Sequence, residues 1–312
     1  MTKTKDNQLV SIIFPAYNEE GNIIALYEST TKNLPDNYDF EFIFVDDGST
    51  DKTLELIKSL ALVDKRVKYL SFSRNFGHQY ALKAGLDYCN GNCSISMDSD
   101  LQHPPKIMNE MLQLWESGYD VVYTIREDNN NVTFIKKITS KLFYTLLNKL
   151  SNVELKKGAA DFRLVDRKVI NILKNDIQEY FLFLRGMIAW VGFNQIGLVY
   201  QSSSRYSGKT KYSISKMVRF AIDGITSLSN KPLRISMYLG FLLSIFSFFY
   251  AAYAIISSLF LNKTIEGWTS LILCILFIGG VQLIILGIMG EYLGKMFLEI
   301  KNRPKYIIKE KN

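Results

Sequence analysis

Two long segments without a charged side chain dominate the C-terminal part of the chain. Ile235–Leu261 contains no charged residue over 27 positions, and Trp268–Gly290 contains none over 23. A helix needs about 20 consecutive apolar residues to cross the hydrocarbon core of a bilayer, and both segments exceed that length. The residues between them, 262–267, are too few to form a domain. The sequence therefore predicts a hairpin of two transmembrane helices whose outer ends lie on one side of the membrane.

Basic side chains flank this hairpin at both outer ends. Positions 205–234 contain seven Lys and Arg residues and a single acidic one, Asp223, whereas the connection between the helices has one basic residue, Lys263. Cytoplasmic segments next to membrane spans carry an excess of Lys and Arg. We therefore expect the N-terminal region and both termini in the cytoplasm. The net charge of +7 suits an anionic membrane surface, and its concentration beside the hairpin argues against nucleic acid as a partner.

Strand patterns alternate with helical patterns from residue 10 to residue 125. This alternation predicts a mostly parallel sheet covered by helices. Acidic residues follow three of the predicted strands at their carboxyl ends: Glu19, Glu20, Asp46, Asp47, Asp98 and Asp100. Open α/β sheets bind ligands at the carboxyl ends of their strands, so these residues predict the position of a binding site.

Asp98 and Asp100 form an Asp-x-Asp pair at the end of a short apolar strand. Mg²⁺ and Mn²⁺ are commonly held by one or two carboxylates together with the phosphates of a substrate. The pair therefore predicts a metal site that also binds a diphosphate. The alternative for the pair alone is a solvated turn, and the acidic residues on the neighbouring strands favour the metal site.

Seven motifs occur in order along the chain. They are PAYNE at 15–19, VDDGS at 45–49, SRNFG at 73–77, MDSDLQHPP at 97–105, GAADFRLVDR at 158–167, FLRGMIAWVGF at 183–193 and RYSGKTKYS at 205–213. Together they resemble the family 2 glycosyltransferases with the GT-A fold. More narrowly, they are similar to the polyprenyl-phosphate glycosyltransferases, which include bactoprenol glucosyltransferases and relatives of dolichol-phosphate mannose synthase.

The resemblance implies a role for particular residues. The nucleoside of a sugar nucleotide would lie among Pro15, Tyr17, Glu19, Asp46 and Asp47, with Arg74 close by. A divalent metal, Mg²⁺ or Mn²⁺, would be held with the diphosphate by Asp98, Asp100 and Gln102. The catalytic residues would be Asp100 and Asp161, the second at the position of the family's candidate base. Basic positions that grip phosphates would be Arg126, Arg205 and Lys211.

The implied architecture has four parts. A cytoplasmic GT-A domain, which is a Rossmann-like α/β domain, would span residues 1–204, followed by a basic amphipathic juxtamembrane segment at 205–234. The two transmembrane helices, about 235–261 and 268–290, would lie within 235–293. Residues 294–312 would form a basic cytoplasmic tail.

The expected function is metal-dependent, inverting transfer of a hexose from a nucleotide sugar to undecaprenyl or another polyprenyl phosphate. The donor would be UDP-glucose or a related UDP-hexose. The product, a lipid-linked monosaccharide for modification of cell-envelope glycans, would need a separate flippase. A phosphate acceptor is largely ionised near neutral pH, since its second pKa is about 6 by analogy with phosphoamino acids. Asp161 is therefore either a general base or a group that orients the acceptor or pairs with Arg163.

Two other functions stay open from the sequence. A processive polysaccharide synthase would need more membrane spans and a Gln-x-x-Arg-Trp motif, whereas Arg185 and Trp190 here are separated by four residues. A non-catalytic membrane scaffold that binds sugar nucleotides is disfavoured by the intact set of Asp98, Asp100 and Gln102. The sequence identifies neither the sugar nor whether the chain forms a homo-oligomer.

Overall fold

The computed structural model describes residues 8–127, 158–201, 224–226, 229–261 and 267–312. The elements before residue 128 are β1 Leu9–Ala16, α1 Ile23–Lys32, β2 Asp39–Asp46, α2 Thr53–Val63, β3 Val67–Phe72, α3 His78–Tyr88, β4 Cys93–Ser96, α4 Ile107–Glu116 and β5 Val121–Glu127. The later elements are β6 Ala159–Asp166, α5 Arg167–Asn175, α6 Leu184–Val191, β7 Gln195–Gln201, α7 Lys231–Leu261, α8 Trp268–Ile300 and β8 Ile308–Lys311.

The eight strands form one sheet in the order β7-β5-β6-β4-β1-β2-β3-β8. β1 pairs in parallel with β2 and β4, and β2 pairs in parallel with β3. β6 and β8 run antiparallel to their neighbours β4 and β3. The predicted mostly parallel α/β sheet is therefore confirmed, with one reversed strand inside it and one at its edge.

Helices cover both faces of this sheet. Side chains that alternate along β1 enter two separate hydrophobic clusters, with Phe14 in one and Ile13 in the other. A strand buried on both faces appears in the sequence as a continuous apolar run, which explains the pattern of residues 10–16. Gly85 allows α3 to lie directly on β1, because a Cβ atom there would be 2.2 Å from Ile13 Cγ2.

The reversed strand β6 brings a distant part of the chain beside the end of β4. Because β6 runs antiparallel to β4, its first residues lie at the edge of the sheet where β4 ends. Ser96 is paired in register with Arg163, and the Ser96 hydroxyl donates to the backbone oxygen of Asp161 at 2.5 Å. Asp161 is thereby placed close to the Asp98–Asp100 turn.

The apolar helices α7 and α8 contain 31 and 33 residues. Their stretches Lys231–Tyr250 and Phe277–Ile300 are long and apolar enough to cross a membrane. Large apolar side chains on both helices are exposed, with 74% of Phe246 and 71% of Leu283 accessible. Exposed apolar surface on this scale is what a pair of helices presents to lipid, so the predicted hairpin is confirmed as a membrane-associating element.

The chain beyond α8 returns to the sheet. α8 ends at Ile300, beyond the predicted limit at Gly290, and β8 then pairs antiparallel with β3. The segment 294–312, expected as a basic tail, thus contains the end of a helix and an edge strand. Most of the predicted juxtamembrane segment 205–234, including Arg205 and Lys211, lies outside the described residues.

Candidate active site

A cleft of about 370 Å³ opens at the carboxyl ends of β1, β2 and β4. This is the position that the acidic strand ends predicted. The sequence-predicted residues that line it are Pro15, Tyr17, Glu19, Asp47, Asp98, Asp100 and Asp161. The cleft is also lined by residues that sequence reasoning had not assigned to a site, of which the most important are His78 and Arg185.

The loop after β1 is tied to the loop after β2. The Asn18 backbone N–H donates to the Ser49 hydroxyl at 3.0 Å, and the Glu19 N–H donates to the Thr53 hydroxyl at 2.8 Å. Asn18 adopts a left-handed conformation with φ 53°, which Asn tolerates better than most residues. These bonds fix Tyr17 and Glu19 at the rim of the cleft.

Asp46 and Asp47 have different surroundings although both are buried. The Asp46 carboxylate accepts hydrogen bonds from the Ser49 N–H at 3.1 Å and the Ser71 hydroxyl at 2.8 Å, and it lies outside the cleft lining. The Asp47 carboxylate lines the cleft and accepts from the backbone N–H groups of Phe76 at 2.6 Å and Gly77 at 2.9 Å. Asp46 therefore shapes the turn, and Asp47 is the member of the pair that can meet a ligand.

The segment after β3 packs closely against the loop after β2. Gly48 has φ 69°, and a Cβ atom on it would lie 2.5 Å from the Arg74 carbonyl carbon, so this approach requires glycine. The Arg74 guanidinium lies 4.0 Å from the centre of the Phe76 ring and donates to the Asn75 backbone oxygen. The cleft itself is lined by Asn75 and Gly77 and not by Arg74.

Asp98 lies between two imidazoles. Its carboxylate oxygens are 2.7 Å from His78 Nε2 and 3.3 Å from His103 Nε2, and the Tyr200 hydroxyl is 2.8 Å from His103 Nδ1. Removal from water opposes ionisation of Asp98, but the charge of His78 and the hydrogen bonds from both rings outweigh it. They hold the pKa of Asp98 well below its usual range. Neither histidine is among the site residues that the sequence predicted.

The Asp98–Asp100 turn is anchored on both sides. The Ser99 hydroxyl donates to the Pro15 backbone oxygen at 2.8 Å, which ties the turn to the end of β1. Leu101 has a left-handed backbone with φ 59°, and the Gln102 N–H donates to the Asp100 carboxylate at 3.2 Å. The Gln102 side-chain oxygen accepts from Arg126 at 3.0 Å. A sparsely populated backbone conformation directly after Asp100 is typical of functional turns.

Asp161 is held by Arg185. Arg185 Nε and Nη2 donate to the two Asp161 oxygens at 2.7 and 2.8 Å, and Arg163 is 3.8 Å away. Burial opposes ionisation, but Arg185 outweighs it and lowers the pKa of Asp161 to about 2. The carboxylate is thus ionised with both oxygens engaged, which makes it a poor proton acceptor. The sequence places Arg185 in the motif at 183–193 but gives no sign of its pairing with Asp161, which lies 24 positions earlier in the chain.

Comparison with known proteins agrees with this architecture. Residues 11–173 match the family described as Glycosyl transferase family 2, and residues 231–296 match the GtrB C-terminal hairpin. The uncharacterized glycosyltransferase YkcC of Bacillus subtilis (strain 168) is 42% identical over 96% of this chain and 93% of its own. The SfII prophage-derived bactoprenol glucosyl transferase of Shigella flexneri is 39% identical over 96% and 97%.

Among solved structures, glucosyl-3-phosphoglycerate synthase from Mycobacterium tuberculosis overlaps 70% of this chain and 79% of its own, with a TM-score of 0.46 and 21% identity. The family match covers more than half of the chain, and the YkcC relative matches nearly all of it. The chain therefore belongs to glycosyl transferase family 2, and it is a glycosyltransferase whose catalytic domain is followed by a GtrB-type hairpin.

Proposed function

We propose that this enzyme transfers a hexose from a nucleotide sugar to a polyprenyl phosphate at the cytoplasmic face of the membrane. The observation that carries the proposal is the presence, in one chain, of a cleft lined by Asp98 and Asp100 and a pair of exposed apolar helices. We assign UDP-glucose or a related UDP-hexose as donor and undecaprenyl phosphate as acceptor. Relatives that are named bactoprenol glucosyl transferases support a glucosyl group on the donor and a bactoprenol acceptor.

The donor would lie along the cleft with its base near β1 and β2. Tyr17 and Asp47 are at this end, and a buried carboxylate that already accepts two backbone hydrogen bonds is rigid enough to accept a third from a base. The diphosphate would then extend to Asp98 and Asp100. In this arrangement Asp46 contributes by holding the turn, and Arg74 supports the segment 73–77 from outside the cleft.

A divalent metal fits the Asp98–Asp100 turn. Within the described residues, no three His, Cys, Asp or Glu side chains are grouped to form a metal site by themselves. Mg²⁺ typically takes only one or two protein carboxylates and completes its octahedron with substrate phosphates and water, which matches two carboxylates on one cleft wall. Asp98, Asp100 and the Gln102 side-chain oxygen are the groups that would hold it. The metal, Mg²⁺ or Mn²⁺, would neutralise charge that develops on the diphosphate leaving group.

The acceptor phosphate would react without strong help from a base. An ionised phosphate oxygen attacks the anomeric carbon, the bond from that carbon to the diphosphate oxygen breaks, and the nucleoside diphosphate leaves with the electron pair. A single displacement of this kind inverts the anomeric centre. Since Asp161 forms an ion pair with Arg185, its proposed role is to orient the Arg185 guanidinium towards the phosphates of donor and acceptor. Arginine is well suited to this because its forked donors match phosphate oxygens.

Reconstitution tests the proposal directly. Purified full-length protein in detergent or vesicles is incubated with Mg²⁺, undecaprenyl phosphate and one of a panel of UDP- and GDP-sugars. We expect a glycolipid whose mass exceeds that of the acceptor by one hexose residue, formed best with a UDP-hexose. Transfer to sugar hydroxyls but not to the lipid phosphate, or formation of a polymer, would overturn the assignment of the acceptor.

Donor binding should weaken as the pH falls below about 6. Burial raises the pKa of Asp47 to about 6, against hydrogen bonds from the Phe76 and Gly77 N–H groups, with Asp46 and His78 facing it. The ionised form is the stronger acceptor for a hydrogen bond from the base, because hydrogen bonds to a charged oxygen are about twice as strong as neutral ones. We therefore expect the affinity for UDP-glucose to fall by up to about fivefold between pH 6 and pH 5, because a group with a pKa of about 6 is half ionised at pH 6 and roughly one-tenth ionised at pH 5.

Calorimetry with UDP-glucose alone measures this change in affinity. The acceptor is left out because its phosphate titrates in the same pH range. Asp47→Asn should bind UDP-glucose more weakly and with no pH dependence between pH 5 and 7. The same raised pKa changes the stability of the fold with pH in the opposite direction to donor binding. The folded state binds the Asp47 proton more tightly than the unfolded state, so this group's stabilisation declines as the pH rises from about 4 to about 6. A flat wild-type binding curve would contradict the role of Asp47.

Both termini should be cytoplasmic, with only the connection between α7 and α8 outside. In a chain whose Cys89, Cys93 and Cys274 are replaced by Ala, a membrane-impermeant maleimide should label Thr264→Cys in intact cells. It should label Lys309→Cys only after lysis, because the positive-inside rule places the basic C-terminal end in the cytoplasm. The reverse pattern would place the cleft on the outer face, away from cytoplasmic nucleotide sugars. Residue 264 lies outside the described residues, so this prediction rests on the charge pattern.

A further inference from the structure

The C-terminal strand β8 completes the catalytic sheet beside the donor cleft. It is joined to β3 through main-chain pairing, and the Ser73 N–H donates to the Ile307 oxygen at 2.9 Å. Its end is fixed by the Asn312 side chain, whose oxygen accepts from the Tyr69 N–H at 2.6 Å. Glu310 forms an ion pair with Lys58 at 2.6 Å. The segment 307–312 is therefore an integral strand and not a solvated tail.

An aromatic column connects this segment to the cleft. The Tyr306 ring stacks on Phe72 with a centroid distance of 5.0 Å and an interplanar angle of 14°. Phe72 in turn meets Phe76 edge to face at 5.7 Å. The backbone N–H of Phe76 donates to the Asp47 carboxylate, so three rings link Tyr306 to the proposed base-reading carboxylate.

Tyr306 also contacts helix α3, which follows the segment 73–77. Its hydroxyl donates to Asp87 in α3 at 2.8 Å, and the first residue of α3 is His78, which contacts Asp98. Tyr306 thus touches both the strand that leads to the segment 73–77 and the helix that follows it. Two of the residues between these elements, Asn75 and Gly77, line the cleft.

The chain between α8 and Tyr306 is also attached to the catalytic domain. Near the end of α8, the Glu299 carboxylate accepts from the Tyr180 backbone N–H at 2.9 Å. Lys305 donates to the Ile177 backbone oxygen at 3.3 Å. The chain from α8 to β8 is therefore fixed to the catalytic domain before and after Tyr306.

We propose that Tyr306 and β8 position the segment 73–77, so that the chain beyond the membrane hairpin sets the affinity for the sugar-nucleotide donor. Tyr306 is a positioning residue, since it is not among the described residues that line the cleft. The inference rests on the proposed donor site at Asp47. Without the stack on Phe72, the segment would lose packing behind the Phe76 ring while it keeps its backbone bonds to Asp47, and a loop with fewer buried contacts opens more readily.

Three substitutions in the full-length protein test this. Tyr306→Ala removes the stack and the hydroxyl contact, Tyr306→Phe keeps the stack alone, and Lys309→Ala alters an exposed side chain of the same strand as a matched control. For Tyr306→Ala we expect the donor KM to rise about tenfold, equivalent to about 1.4 kcal/mol, with kcat within roughly twofold. Tyr306→Phe should recover most of the loss, and Lys309→Ala should behave as wild type.

Hydrogen exchange supplies a readout that does not depend on turnover. In Tyr306→Ala, the amides of residues 76 and 77 should exchange faster than in wild type, while those of β1 should not. If that variant cannot be purified folded, a chain that ends at Tyr306 and lacks β8 should show the same faster exchange and raised KM.

Wild-type KM and wild-type exchange in both variants would overturn the inference. A loss of kcat without a change in KM would also overturn it, because that would place Tyr306 outside donor binding. Failure of the proposed function looks different: the wild-type protein would then neither bind a UDP-sugar nor form a glycolipid.

Discussion

Asp100→Ala is expected to abolish hexose transfer while the protein stays folded and bound to the membrane. Asp100 lies in the turn with Asp98 and Gln102, where two carboxylates on one wall suit a divalent metal that bridges to the diphosphate. Loss of a preorganised group that stabilises developing charge typically reduces kcat by about 10²–10³. We expect a reduction at least this large, since in the proposed site the metal and the leaving group would depend on the same side chain.

The measurement is glycolipid formation at saturating donor, with Mg²⁺ and then Mn²⁺ supplied in excess. Glu110→Ala, which removes an exposed carboxylate from the nearby helix α4, is the matched control and should keep full activity. Chelation of divalent ions with EDTA should stop the wild-type enzyme, and added Mg²⁺ or Mn²⁺ should restore it. Near-normal turnover by Asp100→Ala with either ion would refute the metal site.

Asp161→Ala and Arg185→Ala should each reduce kcat/KM by about 10²-fold, and the double variant should lose little more. In the proposed site, either substitution removes an aligned guanidinium from the phosphates, and a hydrogen bond to a charged group contributes about 1.5–3 kcal/mol. A loss of about 3 kcal/mol in the transition state corresponds to roughly 10²-fold in rate. Residues that act as one unit are strongly non-additive, so the double-mutant cycle should show this coupling.

This experiment separates two roles for Asp161. If Asp161 positions Arg185, Asp161→Asn should keep the shape of the wild-type pH–rate profile, because the proposed nucleophile is a phosphate that ionises by itself. If Asp161 is instead a general base, Asp161→Asn should lose the acidic limb of that profile. Arg185→Ala should then reduce kcat/KM much less than Asp161→Ala. Lys68→Ala is the control for stability, since it breaks the ion pair with buried Glu41 at the end of β3 remote from the cleft. It should lower the melting temperature without lowering kcat/KM.

The local sequence was sufficient to predict a site residue wherever that residue directly follows the end of a strand. Asp98, Asp100 and Asp47 come immediately after buried apolar strands, so the sheet places them at its carboxyl edge regardless of the rest of the chain. The choice between Asp46 and Asp47 needed the structure. Adjacent side chains point in opposite directions at a strand end, and the residue at which β2 stops decides which of them faces the cleft.

Contacts between distant segments could not be predicted from local patterns. His78 and Arg185 acquire their roles from partners 20 and 24 positions away in sequence, on elements brought together only by the packing of α3 and α6 on the sheet. β8 was hidden for another reason. Its sequence, IKEK, has the alternating charges of a solvated tail, and it becomes a strand because β3 offers an unpaired edge.

The pairing of β3 with β8 also affects how the protein folds during its synthesis. Tyr69 and Asn312, which meet at the end of the pair, are 243 positions apart, and both apolar helices are synthesised between them. Contacts of such long sequence separation form late, because a large loop must close first. The β3 edge therefore stays open on the growing chain until the hairpin has emerged, and an open edge is a template for pairing with other chains. We expect a catalytic domain expressed without its hairpin and β8 to aggregate, and we expect the pairing of β8 with β3 to be the final step of folding.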